Sequence, residues 1–175
     1  LPLEVLQLIW HHAREAVVLA EDGLDRVGKE HLQYMREELG VADLLGFGLH
    51  GDSVPCNYDR TESVVVISLN LPGLSGENKR MRIPLVVMPD GAMTSNTYDD
   101  IMDVLSWQMR HMLVNAHPTE RHDQKPWLPS DKARAKRTGP LGFHACLVEV
   151  RSDWDFLCKC FHFPTHNYLD GVCWR

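Results

Sequence analysis

Several protein classes are excluded by what this chain has little of. Lys and Arg number 18 against 24 Asp and Glu, a formal net charge of −6. That balance speaks against a free-standing DNA-binding domain, whose surface is usually basic. It leaves room for a catalytic domain whose grip on DNA comes from elsewhere. No apolar run is long enough to span a bilayer, so no membrane partner is expected. The opening "LPLEVLQLIWHHAREAVVLAEDGL" has no basic leader and no small-residue cleavage site, so it is not expected to be a signal peptide. Five cysteines are an odd number, and their spacing does not resemble a secreted disulfide framework. Reduced thiols in the nucleus or cytoplasm are expected, not a secreted protein. Internal repeats and low-complexity segments are absent. The chain starts at Leu1 rather than Met and reads as a fragment of something longer.

What is present is ordinary globular composition. The 175 residues are 44% hydrophobic and 24% charged, enough for one domain with a real core. Residues 3–39 read as helical. Leu3, Leu6, Ile9, Trp10, Ala13, Val17 and Leu19 approximate a stripe, "EDGLDRVG" interrupts it, and a second short helix stops at Gly40. Strand signals follow in "DLLGFGLHGD", in the β-branched "SVVVISLNLPG", and in "KRMRIPLVVMPDG", where Pro84 points to an edge or a bulge. Thr97 is placed to cap a helix over "YDDIMDVLSWQMRHMLVNA", with Ile101, Val104, Leu105, Met109, Met112 and Leu113 on one face. Residues 121–140 read as a polar surface insertion, and "LGFHACLVEV" as a fourth strand.

The order is two helices, three strands, a helix and a strand. Three consecutive strands suggest an antiparallel meander. The helix then supplies a crossover that lets the fourth strand pair parallel to the first. This topology gives meaning to "LLGFGLHGDSVPCN", an apolar run that ends in His-Gly-Asp. Asp52 is either a turn residue, because Gly-Asp-Ser is turn-prone, or a ligand. Asp153, just past the fourth strand, is either a helix cap or the partner of Asp52 at one sheet edge. Asp155 competes with it for that place.

The ordered series "GDSVPCN", "SVVVISLNLPG", "IPLVVMPDG", "TYDDIMDVLSWQM" and "LVEVRSDWDF" resembles the RNase H-like catalytic core of DDE-type transposases. It is most similar to the plant CACTA (En/Spm) kind. The likeness covers residues 41–175, with residues 1–40 as a helical lead-in. It implies an α/β fold with a mixed sheet and metal-dependent phosphodiester chemistry on DNA, using Mg²⁺ or Mn²⁺. Asp52 and Asp153 would be the first two acids, each catalytic and metal-binding. The third acid would lie beyond Arg175, so this segment alone would be inactive. Two other readings stand beside it. One is a non-catalytic relic or domesticated module that binds DNA or protein. The other is an unrelated metallohydrolase using His50 and Asp52.

Two further groups of residues carry chemistry. Cys158, Cys160, His162, His166 and Cys173 are zinc-ligand types, but their spacing is not that of a standard finger and no closed zinc site is expected within the chain. On a strand the first three would share a face; on a helix they would scatter. Lys132, Arg134, Lys136 and Arg137 read as a solvated loop, or as phosphate contacts if the transposase likeness holds. His11, His12, His111 and His144 have no partner spacing. Trp107 is expected in the core, and Trp127 lies in the loop.

Overall fold

The computed structural model describes residues 1–18, 21–59, 61–74 and 82–164. It is an α/β structure in which helices pack on both faces of one four-stranded mixed sheet. In chain order the elements are α1 (Pro2–Val18), α2 (Arg26–Leu39), β1 (Leu44–Pro55), β2 (Ser63–Asn70), β3 (Arg82–Pro89), α3 (Thr97–Leu113), α4 (Lys132–Ala135), β4 (His144–Ser152) and α5 (Trp154–Phe161). The spatial order of the strands is β3-β2-β1-β4. β1 pairs antiparallel with β2 and parallel with β4, and β2 pairs antiparallel with β3. The meander and the crossover expected from the element order are both present.

Local chemistry sets the boundaries. Asp25 caps α2 by accepting from the Gly28 backbone N–H at 2.7 Å. Gly40 ends the helix in the left-handed conformation, φ 63°, where a residue without Cβ carries no steric cost. Pro84 sits on the outer strand β3, beside a register shift between Ile67 and Ser68, so it marks both an edge and a bulge. Thr97 does not act as a cap. It is the first residue of α3, and its Oγ1 accepts from the Thr94 backbone N–H at 2.8 Å.

Period-two alternation divides the sheet into two faces. Leu45 and Phe47 of β1 and Leu69 of β2 pack with Leu3 and Leu6 of α1 and Met112 of α3. Further along the same face, Leu49, Val65 and Ile67 meet Leu105 of α3 and Phe156 and Cys160 of α5. On the opposite face Leu44 and Cys146 pack against Leu32 of α2. The helical lead-in therefore contributes to the same core as the strands.

Residues 121–140 are only partly irregular. A 3-10 turn at Pro129–Asp131 runs into α4, and Pro140 bridges Ala116. Arg134 fastens this segment to α1 through Glu4, at 3.0 Å. No helix of the described residues is long and apolar enough to cross a membrane.

Candidate functional site

β1 does not end at Asp52. It continues to Pro55, because Ser53, Val54 and Pro55 find partners in Val65, Val64 and Ser63 of β2. Asp52 is thus a half-buried strand residue opposite Val66, and the turn reading for it does not hold. Among the described residues its carboxylate makes no hydrogen bond or ion pair.

The parallel pairing of β1 with β4 closes at Gly51↔Ser152. The Ser152 hydroxyl donates to the Gly51 carbonyl at 2.7 Å and pins that end of the pair. Asp52, still within β1, and Asp153, just past the end of β4, are the next residues in the chain, about 100 positions apart. The backbone then turns away. Asp153 becomes the N-cap of α5, its Oδ1 accepting from the Phe156 N–H at 2.8 Å. Asp155 lies two residues further, in the first turn of α5, with its side chain 69% exposed, and pairs with Lys159 at 2.6 Å. Asp153 is therefore the acid nearer the junction, and it is also a cap.

Gly51 determines how α5 docks. A Cβ at this position would overlap the Phe156 ring, which lies directly over the glycine. Phe156 also meets Tyr98 edge-on at 5.8 Å. Since alternate strand residues face opposite ways, Asp52 is directed to the other side of the sheet.

On that other side α2 covers β1 near Leu44 and Gly46. Beyond it stands a polar row that the sequence reading missed. Asn70 of β2 and Glu149 of β4 reach toward each other across Gly48 of β1, and Asn70 Nδ2 donates to Glu149 Oε1 at 2.6 Å. Arg151 holds the second Glu149 oxygen at 2.9 Å. Asn70 is 6% exposed, and its Oδ1 has no hydrogen-bond partner among the described residues. The signal available in the sequence was an acid inside an apolar strand, "LVEV", and a Gly between Phe and Leu in "FGLHG".

His50 neighbours this row and pairs in register with Ser68 and Arg151. Burial, and then Arg82, hold its imidazole below the usual histidine range; Asp52 pulls in the opposite direction. Burial lowers His111 and His117 as well. For each, the unfolded chain, with a pKa near 6.5, takes up its proton first as the pH falls. Their contribution to stability is complete above pH 6.5 and is lost as the pH falls through 6.5 toward the lower folded values. Thermal melts across this range should show Tm dropping on acidification. The His50→Gln, His111→Gln and His117→Gln triple variant should flatten that drop.

The metal-ligand types are placed as follows. Asp52 and Asp153 are hard oxygen donors of the kind Mg²⁺ or Mn²⁺ takes. Among the described residues no three His, Cys, Asp or Glu side chains gather into a metal site. The pair therefore does not amount to a complete metal centre, and His50 with Asp52 does not supply one. Cys158 and Cys160 lie on α5, not on a strand, and His162 is its left-handed C-terminal residue. They scatter accordingly. Cys160 is buried, which pushes its thiol up to about 12. The Cys158 thiol lies 3.7 Å from the Pro164 carbonyl, and His162 Nε2 lies 3.0 Å from Asp99 Oδ1. His166 and Cys173 lie outside the described residues.

The basic run is not uniform. Arg134 bonds Glu4 and Asp131, and Arg137 approaches Glu4 at 3.7 Å, so both are tied to acids. Lys132 and Lys136 are exposed. Trp107 is half-buried, with Trp127 at 6.1 Å and His111 and His122 around it, so the loop tryptophan folds back on α3. Comparisons with protein-family models, curated proteins and solved structures gave no match.

Proposed function

We propose that this chain is an RNase H-like module of the DDE-transposase kind, built for phosphodiester chemistry on DNA in the nucleus or cytoplasm. The observation that carries the reading is the parallel β1–β4 pair, which closes at Gly51↔Ser152 and leaves Asp52 and Asp153 as the next residues. Sheet ends of this kind hold acids rigidly, which a reacting phosphate requires. Asp52 and Asp153 take the first two catalytic and metal-binding places. Mg²⁺ or Mn²⁺ is the ion the donor chemistry suits. The described residues supply no third donor, so no reaction step is assigned to the chain by itself. Lys132 and Lys136 remain the phosphate contacts on the exposed face of the insertion, whereas Arg134 and Arg137 keep their bonds to Glu4.

A second reading has its own observation. Asp153 already caps α5, so its carboxylate has a structural use without chemistry. A non-catalytic module that retains the fold and binds DNA or protein fits that fact.

The test is duplex-DNA binding against salt, together with an Mn²⁺-dependent nicking assay on the 175-residue chain and its Asp52→Asn variant. Binding should be weak and should fall steeply with salt, and neither protein should nick. Nicking by the parent that is lost in Asp52→Asn would show the site complete in this chain. Absence of binding at low salt would remove the nucleic-acid reading altogether.

A further inference from the structure

Asp52 and the basic insertion lie on opposite sides of the sheet. Arg134 fastens the insertion to Glu4 of α1, and Trp127 rests on Trp107 of α3. Both helices pack on the face that carries Leu45, Phe47 and Leu69. Gly51 meets Phe156 on that same face, so Asp52, the next residue, points away from it. Lys132 and Lys136 therefore reach only phosphates well removed from Asp52. A phosphate at Asp52 itself needs cations on the face where Asp52 stands.

Cross-strand register supplies them. Arg82 of β3 pairs with Asn70 of β2, and His50 of β1 lies between Ser68 of β2 and Arg151 of β4. These side chains leave the sheet on one side, and Asp52 follows His50 by two residues on the same side. The strand order is β3-β2-β1-β4, so the strands of the two arginines lie ~14 Å apart, with His50 between them. Both arginines act on the His50 imidazole. Arg82, Pro84 and Val87 are all exposed, so the described residues leave this face open along β3.

The charges on this face are not all matched. Arg151 Nε and Nη2 both hold Glu149 Oε2 at 2.9 Å, while the arginine side chain stays 63% exposed. Among the described residues Arg82 and Asp52 have no ion pair, and His50 has no hydrogen bond. Arg82 is thus the uncompensated cation and Asp52 the uncompensated acid. We propose that Arg82, His50 and Arg151 hold a DNA backbone over Asp52, with Arg82 as the principal phosphate contact. Guanidinium groups suit this task because their N–H donors match phosphate oxygens in pairs. His50 adds one ring N–H. The proposal rests on the nuclease reading of Asp52 and deepens it.

The experiment measures binding of a fluorescein-labelled DNA duplex to the 175-residue chain across a salt series, with no divalent ion present. Arg82→Ala should weaken binding several-fold at low salt. It should also lower the slope of log affinity on log salt by about 0.9, the value for one phosphate contact. Arg82→Lys should keep the parent slope, because lysine still neutralises the phosphate. Arg82 is exposed, so both variants should keep the parent melting temperature. Asp52→Asn removes the unmatched acid and should tighten binding. Amide shifts of the labelled chain on adding DNA should include residues 50, 82 and 151. The parent slope in Arg82→Ala would overturn the proposal while DNA is still bound. So would equal losses in Arg82→Ala and Arg82→Lys, or shifts confined to 132–137. Unchanged binding in Asp52→Asn would place the DNA away from Asp52 and overturn the proposal and the nuclease reading together. No binding by the parent would do the same.

Discussion

Phe156→Ala should destabilise the protein by about 3–5 kcal/mol, the range for removing a buried phenylalanine. Phe156 is 6% exposed, rests over Gly51, and meets Tyr98 edge-on at 5.8 Å. It is the principal anchor of a helix only eight residues long, which has little stability of its own. The cap from Asp153 to the Phe156 N–H depends on that helix staying in place. Loss of the ring should therefore release Asp153 as well as lower the melting temperature. Gly51→Ala drives a Cβ into the same ring from the other side and should cost about 1–3 kcal/mol by overpacking. Combining the two should restore part of the loss, because the cavity from one substitution accommodates the methyl of the other. Chemical denaturation of the single and double variants checks this directly. Additive losses would show that Phe156 and Gly51 are not coupled.

The second large effect is expected at Gly48. A Cβ there would lie 2.5 Å from Asn70 Oδ1 and 2.7 Å from Glu149 Cγ, closer than such atoms approach. Gly48→Ala must push the two side chains apart and break the 2.6 Å bond between them. Asn70 is almost fully buried, so its amide would then be left unsatisfied. Such a group costs about 1–3 kcal/mol, and the overpacking adds to it. Glu149→Gln keeps the shape and an acceptor, and should cost less than Glu149→Ala. Denaturant midpoints for the three variants give the ranking. If Gly48→Ala melts like the parent, the pair across the strand is not held as described.

These sites show which features could be read from the chain. Strand order and the parallel β1–β4 pair followed from local signals: β-branched runs, Pro-Gly stops and a helix of crossover length. Pro84 announced its edge through its missing donor. Asp52 was located but misread as terminal. Ser53 and Pro55 carry turn propensity, and only the pairing with Val65 and Ser63 across the hairpin extends the strand through them. The Asn70–Glu149 bond was not legible, because it depends on a register shift at Phe47/Gly48 that brings Glu149, not Val148, opposite Gly48. Arg134 looked like one of four loop cations. Its partner Glu4 is 130 residues away, and no local pattern links them. Cys158, Cys160 and His162 have a spacing compatible with strand or helix, and the Asp153 cap selects the helix.

The most direct test of the proposed site at Asp52 and Asp153 is Mn²⁺ titration of the isotope-labelled chain followed by amide line broadening. Mn²⁺ seeks carboxylate oxygens, and its paramagnetism broadens only nearby nuclei. Weak, saturable broadening centred on residues 51–53 and 152–154, and abolished together in Asp52→Asn, is the expected result. Broadening confined to one of the two segments, or persisting at both in Asp52→Asn, would contradict a shared site where the β1–β4 pairing ends.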